Sequence, residues 1–97
     1  MLTARSVPIS LSDILARFPE GAFDVVFEGR RYGAAKTSFA GGRSLKFEAW
    51  ERGGEDYISL NLYHLGDGRD LLKPCEMPAE KVSMFISNMV LLPERQA

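Results

Sequence analysis

Apolar residues along the chain recur at two spacings, and the change from one to the other marks out the elements. Leu11, Ile14, Leu15 and Phe18 lie 3, 4 and 7 positions apart, the period of a helix face. Ser10 or Ser12 can cap that short helix, and Pro19 with Gly21 stops it. The period then falls to two. Phe23, Val25 and Phe27 alternate with Asp24 and Glu28, as in a strand with one face buried. Gly29-Arg30 predicts a two-residue turn with glycine first, which suits type II′. Arg31 to Phe39 is the returning strand, and Gly41-Gly42 signals a second tight hairpin. Ser44 to Trp50 is a third strand, and Glu51 to Asp56 a polar loop. Tyr57 to Leu65 is the clearest strand, with Ile58, Leu60 and Leu62 on one face and Tyr57, Ser59, Asn61 and Tyr63 on the other.

The Gly66-Asp67-Gly68 turn leads to a short fifth strand from Leu71 to Cys75. Pro78 suits the first position of a second helix, where its missing N–H is harmless. Val82, Phe85, Ile86, Met89 and Val90 form one stripe of that helix, which Pro93 ends. The expected fold is α+β: an antiparallel meander sheet of four to five strands, a C-terminal helix packed on one face and a short N-terminal helix. Residues 1–9 read as a flexible arm, 10–92 as one α+β domain and 93–97 as a tail.

Pairing 44–50 with 57–63 separates the two faces of the sheet. Leu45 meets Leu62, Phe47 meets Leu60 and Ala49 meets Ile58, an apolar face for the second helix. Lys46 meets Asn61, Glu48 meets Ser59 and Trp50 meets Tyr57, with Tyr63 continuing that polar, aromatic face. Rings on a wet face serve as cross-strand supports, as a dimer interface or as a ligand platform. Lys36 fits this register awkwardly. A Gly41-Gly42 loop sets it opposite Phe47 on the apolar face, whereas a bulge near Gly33 or a longer loop moves it out.

Composition narrows the class. The chain has 97 residues, 45% of them hydrophobic and 26% charged, ordinary for a globular domain and too apolar for a disordered one. Its 12 basic and 13 acidic residues leave a net charge of −1, so overall basicity does not mark a nucleic-acid binder. The charge is uneven, however. Arg30, Arg31, Lys36, Arg43 and Lys46 fall within 29–46, a stretch without an acid. Such a zone can attract phosphates, or serve only as a solvated hairpin rim that discourages edge pairing.

Catalytic chemistry is not expected. His64, the one histidine, is in phase with Ile58, Leu60 and Leu62 and reads as a half-buried packing residue. Cys75, the one cysteine, excludes an intrachain disulfide and fits a reducing compartment. No Cys, His or carboxylate cluster has metal-ligand spacing, and the Gly41-Gly42 and Gly53-Gly54 pairs lack the Lys-Ser/Thr of a phosphate loop. Glu55 and Asp56 are adjacent and would diverge on a strand. No enzyme, cofactor or metal is therefore expected. No apolar run reaches signal-peptide or membrane-span length, so the expected location is the cytoplasm.

The string ISLNLYHLGDGRDLLKP, residues 58–74, followed by the helix from Pro78, resembles the core of the positive cofactor four family of single-stranded-DNA-binding transcriptional coactivators. There, too, a meander ends in a strand, an acidic-glycine turn, a Lys-Pro step and an amphipathic helix. The resemblance covers about half the chain. It implies a homodimer that presents basic and aromatic side chains to unpaired DNA or RNA, a role in transcription regulation, and Lys73 as a contact. Departures are a shorter linker before the helix, no second basic cluster there, an added N-terminal helix and an acidic balance. Two functions follow as expectations. One is single-stranded nucleic-acid binding by Arg30, Arg31, Lys36, Arg43, Lys46, Trp50, Tyr57, Tyr63 and Lys73. The other is a homodimeric protein-interaction module without a nucleic-acid ligand.

Overall fold

A computed structural model describes residues 10–65 and 70–93. The expected arm, the Gly66-Asp67-Gly68 turn and the tail beyond Pro93 lie outside the described residues. Helix α1 (Leu11–Ala16) is followed by strands β1 (Gly21–Phe27), β2 (Arg30–Phe39), β3 (Ser44–Glu51), β4 (Tyr57–His64) and β5 (Asp70–Pro74). Helix α2 (Ala79–Asn88) and a two-residue strand β6 (Val90–Leu91) complete the α+β fold. The sheet order is β5-β4-β3-β2-β1-β6, with every neighbouring pair antiparallel. The meander of β1 to β5 is the expected one. A sixth strand is added because α2 recrosses the sheet and delivers the chain to the open edge of β1.

Ser10 caps α1, its Oγ accepting from Asp13 N at 3.1 Å, so the first of the two serines is the cap. Ser12 instead donates to Asp70 Oδ2 at 2.6 Å and ties α1 to β5. Asp70 also meets His64 Nδ1 at 2.7 Å. The Ser12 hydroxyl, and after it His64, hold the Asp70 carboxyl below the ordinary carboxylate range. The β1–β2 turn is Glu28-Gly29, one residue earlier than expected. Both residues have positive φ, 52° and 77°, the signature of type I′, whose twist matches the strands it joins.

The register of β3 and β4 is the one the alternation predicts, from Leu45↔Leu62 to Trp50↔Tyr57. The apolar face carries Val25, Ala34, Phe47, Ile58, Leu60 and Leu62, all buried beneath the helices. Val82, Phe85 and Ile86 of α2, and Met89 just past its end, descend onto it, each burial contributing about 1.5–3 kcal/mol. Val90 departs from the predicted stripe. The helix closes at Asn88, and Val90 is 61% exposed in β6, opposite Val26. Pro78 stands one place earlier than expected, as N-cap.

Lys36 pairs with Phe47, and no bulge moves it to the other face. The β2–β3 loop spans 40–43 between the Phe39↔Ser44 pair, a width that leaves this register intact. Lys36 is 7% exposed, and its ammonium donates to Leu15 O at 2.9 Å and Phe18 O at 2.7 Å. Leu15 O, in the last turn of α1, also accepts from Phe18 N at 3.1 Å, and Phe18 lies two residues past the helix, so the ammonium clasps the chain where α1 ends. At the other end of the sheet, Tyr32 donates to Asp56 Oδ2 at 2.6 Å and Lys81 to Asp56 Oδ1 at 2.8 Å. That node fixes the start of α2 to the β3–β4 loop. No helix among the described residues is long and apolar enough to cross a membrane.

Candidate nucleic-acid interface

Both helices lie on one side of the sheet, so the side chains of opposite parity face outward without a covering layer. Rows of residues in register run across this open face. Asp24, Gly33, Trp50 and Tyr57 form one row over β1 to β4. Thr37, Lys46, Asn61 and Lys73 form a second over β2 to β5, and Phe39, Ser44, Tyr63 and Leu71 a third. The middle of the face is low. Gly33 and Ser59 are buried although they point outward, because larger neighbours flank them.

Six of the nine residues expected at a binding site lie on this face: Arg31, Lys46, Trp50, Tyr57, Tyr63 and Lys73. Trp50 is 45% and Tyr57 39% exposed, and Tyr63 is half-buried. Arg43, in the β2–β3 loop, lines a shallow hollow with Tyr63, Lys73, His64 and Leu71. Two expectations need correction. Lys36 is on the covered face with its ammonium consumed by α1, so it is not part of a basic surface. Arg30 shares the parity of the covered face at the tip of the β1–β2 hairpin and approaches Glu51 at 3.6 Å. The basic zone of 29–46 is thus split between the two faces by strand alternation.

Within the open face the charges are mixed. Lys46 Nζ stands 3.6 Å from Glu48 Oε2. Arg52, which sequence reasoning passed over, reaches across Gly33 to Asp24 with Nη2 to Oδ1 at 2.7 Å. A methyl group on Gly33 would lie 3.0 Å from Arg52 Nη2. The glycine is therefore the space in which the guanidinium rests, which is one reason a strand interior keeps this residue. Trp50, Arg52, Asp24, Leu92 and Pro93 border a groove of about 810 Å3, within the size range of sites for small organic groups.

The rings of the two faces differ in what they touch. Every ring–ring contact among the described residues is on the covered face, as in Phe27–Phe85 at 4.7 Å and Tyr32–Phe85 at 4.8 Å. Trp50, Tyr57 and Tyr63 have no ring partner there. Among the described residues, no cluster of His, Cys, Asp and Glu has the makings of a metal site. Cys75 is half-buried, with Asn61 Nδ2 at 3.8 Å from its sulfur. No family model matches the chain, and neither the curated proteins nor the solved structures yield a match.

Proposed function

We propose that this protein is a non-enzymatic binding protein that takes single-stranded nucleic acid on the helix-free face of its sheet. The observation that carries this reading is the set of three outward rings, Trp50, Tyr57 and Tyr63, none of which spends its face on another ring. Stacking of a base on such a ring contributes about 1–3 kcal/mol and tolerates any sequence. Tyr57 and Tyr63 are six residues apart on one strand, about 20 Å, so several bases can be accommodated between them. Lys46, Lys73, Arg31 and Arg43 supply cations for the backbone. The resemblance to the positive cofactor four family supports the same ligand class, a homodimer and a part in transcription regulation; the cytoplasmic setting rests on the apolar pattern of the sequence instead. A labelled dT12 strand should bind at about 50 mM salt, quench the emission of Trp50 and lose affinity steeply as salt rises. Absence of binding at that salt refutes the proposal.

A second reading has its own support. Phe39 and Leu71, 51% and 41% exposed, share one row of the same face with Tyr63, Leu71 beside it and Phe39 beyond Ser44. These side chains suit closure of a homodimer through the sheets. Sedimentation separates the readings: a dimer that Trp50→Ala or Tyr63→Ala drives to monomer, with no strand bound, favours the second.

A further inference from the structure

We infer that the groove beside Trp50 is a base-selective subsite for guanine; this rests on the nucleic-acid reading above and adds a sequence preference to it. The groove is built by four strands. Trp50 stands on β3 and Leu92 just beyond β6, three strand spacings away, or about 14 Å. Between them the floor is Gly33 and Asp24, with the Arg52 guanidinium lying over the glycine. Leu92 is held there by its N–H, which donates to Asp24 O at 2.9 Å. A base that stacks on Trp50 therefore has its edge directed at an adjacent guanidinium and carboxylate.

Three carboxylates border the groove, and only one is available. Glu20 accepts from Ser38 N at 2.6 Å and Ser38 Oγ at 3.0 Å. Glu51 is taken by Asp56 N at 3.2 Å and by Arg30. Asp24 gives Oδ1 to Arg52, and no described residue donates to its Oδ2. A carboxylate beside a guanidinium presents acceptors next to donors. Guanine is the base whose edge matches that order. Its N1–H and N2–H are two parallel donors for the carboxylate, and its O6, next to them, accepts from Arg52. Adenine, cytosine and thymine each offer the carboxylate one such donor on that edge, with an acceptor beside it. Good bidentate recognition of this kind discriminates strongly against the wrong base, and unpaired bases expose this edge to protein.

The test uses three labelled strands: dT12, the same strand with one central dG, and the same strand with one central inosine, which lacks the N2 amine. The dG strand is expected to bind about tenfold more tightly than dT12, with most of the gain lost for inosine. In Asp24→Asn, whose amide places a donor against the guanine donors, the dG strand should bind no more tightly than dT12. Gly33→Val, which displaces Arg52 without altering a charge, should also abolish the preference. Both variants are checked for an unchanged circular dichroism spectrum. Guanosine monophosphate alone should quench Trp50 at lower concentration than adenosine monophosphate. Equal affinity for the dG strand and dT12 overturns the subsite and leaves the general interface standing. Selective quenching by guanosine monophosphate without strand binding keeps the subsite and overturns the interface. No response to any strand or nucleotide overturns both.

Discussion

Beneath α2, the Phe85 ring lies within 5 Å of both Phe27 and Tyr32; across the sheet, Trp50 and Tyr57 sit in register with no ring against them. The lysines diverge in the same way. Lys36 is buried, its ammonium bonded to two carbonyls that end a helix. Lys46, ten residues along and pointing the other way, stands loosely by Glu48. Identical residue types are therefore used for stability on one face and left available on the other, and strand parity decides which. A charged group inside is kept by hydrogen bonds that satisfy it. An exposed ion pair of the Lys46 kind contributes little to folding, and its lysine can turn to a phosphate.

The sharpest separation of the faces comes from aromatic truncation. Phe85→Ala should destabilise the protein by about 3–5 kcal/mol in a denaturant melt. Trp50→Ala should change stability by about 0.5 kcal/mol or less, yet weaken binding of dT12 by about 5–150-fold. Lysines repeat the contrast at smaller scale. Lys36→Met removes two charge-assisted hydrogen bonds at the end of α1, a loss of about 1.5–3 kcal/mol. Lys46→Met should leave the melt almost unchanged and lower the salt slope of dT12 binding by about 1.

The pH dependence of stability should belong to the covered side. Lys81 first, and then the Tyr32 hydroxyl, hold the Asp56 carboxyl below its ordinary value of 3.8. Folding thus favours the ionised form, and that stability is present above pH 3.8 and disappears as pH falls through the lower folded value. Asp70 adds to the same acid limb through Ser12 and His64. Burial first, and then Asp56, push Tyr32 up from 10.0. Its contribution is complete below pH 10.0 and declines as pH rises beyond it. Asp56→Asn should flatten part of the acid limb and lower stability at neutral pH by about 1–2 kcal/mol. Melts at pH 2 to 11 check both limbs.

Much of the covered face can be read from local alternation. Leu45, Phe47 and Ala49 against Lys46, Glu48 and Trp50 define β3 without any knowledge of its neighbours, and the short loops then set the register. What depends on distant contacts cannot be read this way. Lys36 is visibly out of place beside Phe47, but its acceptors lie 18 and 21 residues earlier, at the end of a helix and just beyond it, where no pattern specifies the path. Val90 sits in helical phase with Val82 and Ile86, so the stripe runs on in sequence. In the structure Asn88 turns its side chain back to Met84 O at 2.9 Å, the helix stops, and the free edge of β1 takes the next two residues. The Arg52–Asp24 pair spans 28 residues. Its trace in the sequence is Gly33, a glycine inside a strand, which sequence reasoning linked to a bulge instead of to a close approach.

The assignment of ligand binding to the helix-free face turns on one titration. Unlabelled dT12 is added to isotopically labelled protein at about 50 mM salt, and the Trp50 indole N–H and the methyl groups of Val82, Ile86 and Met89 are followed by NMR. The indole signal should move progressively to saturation while the methyls under α2 stay in place. Movement of those methyls with the indole fixed, or no movement anywhere, would contradict it.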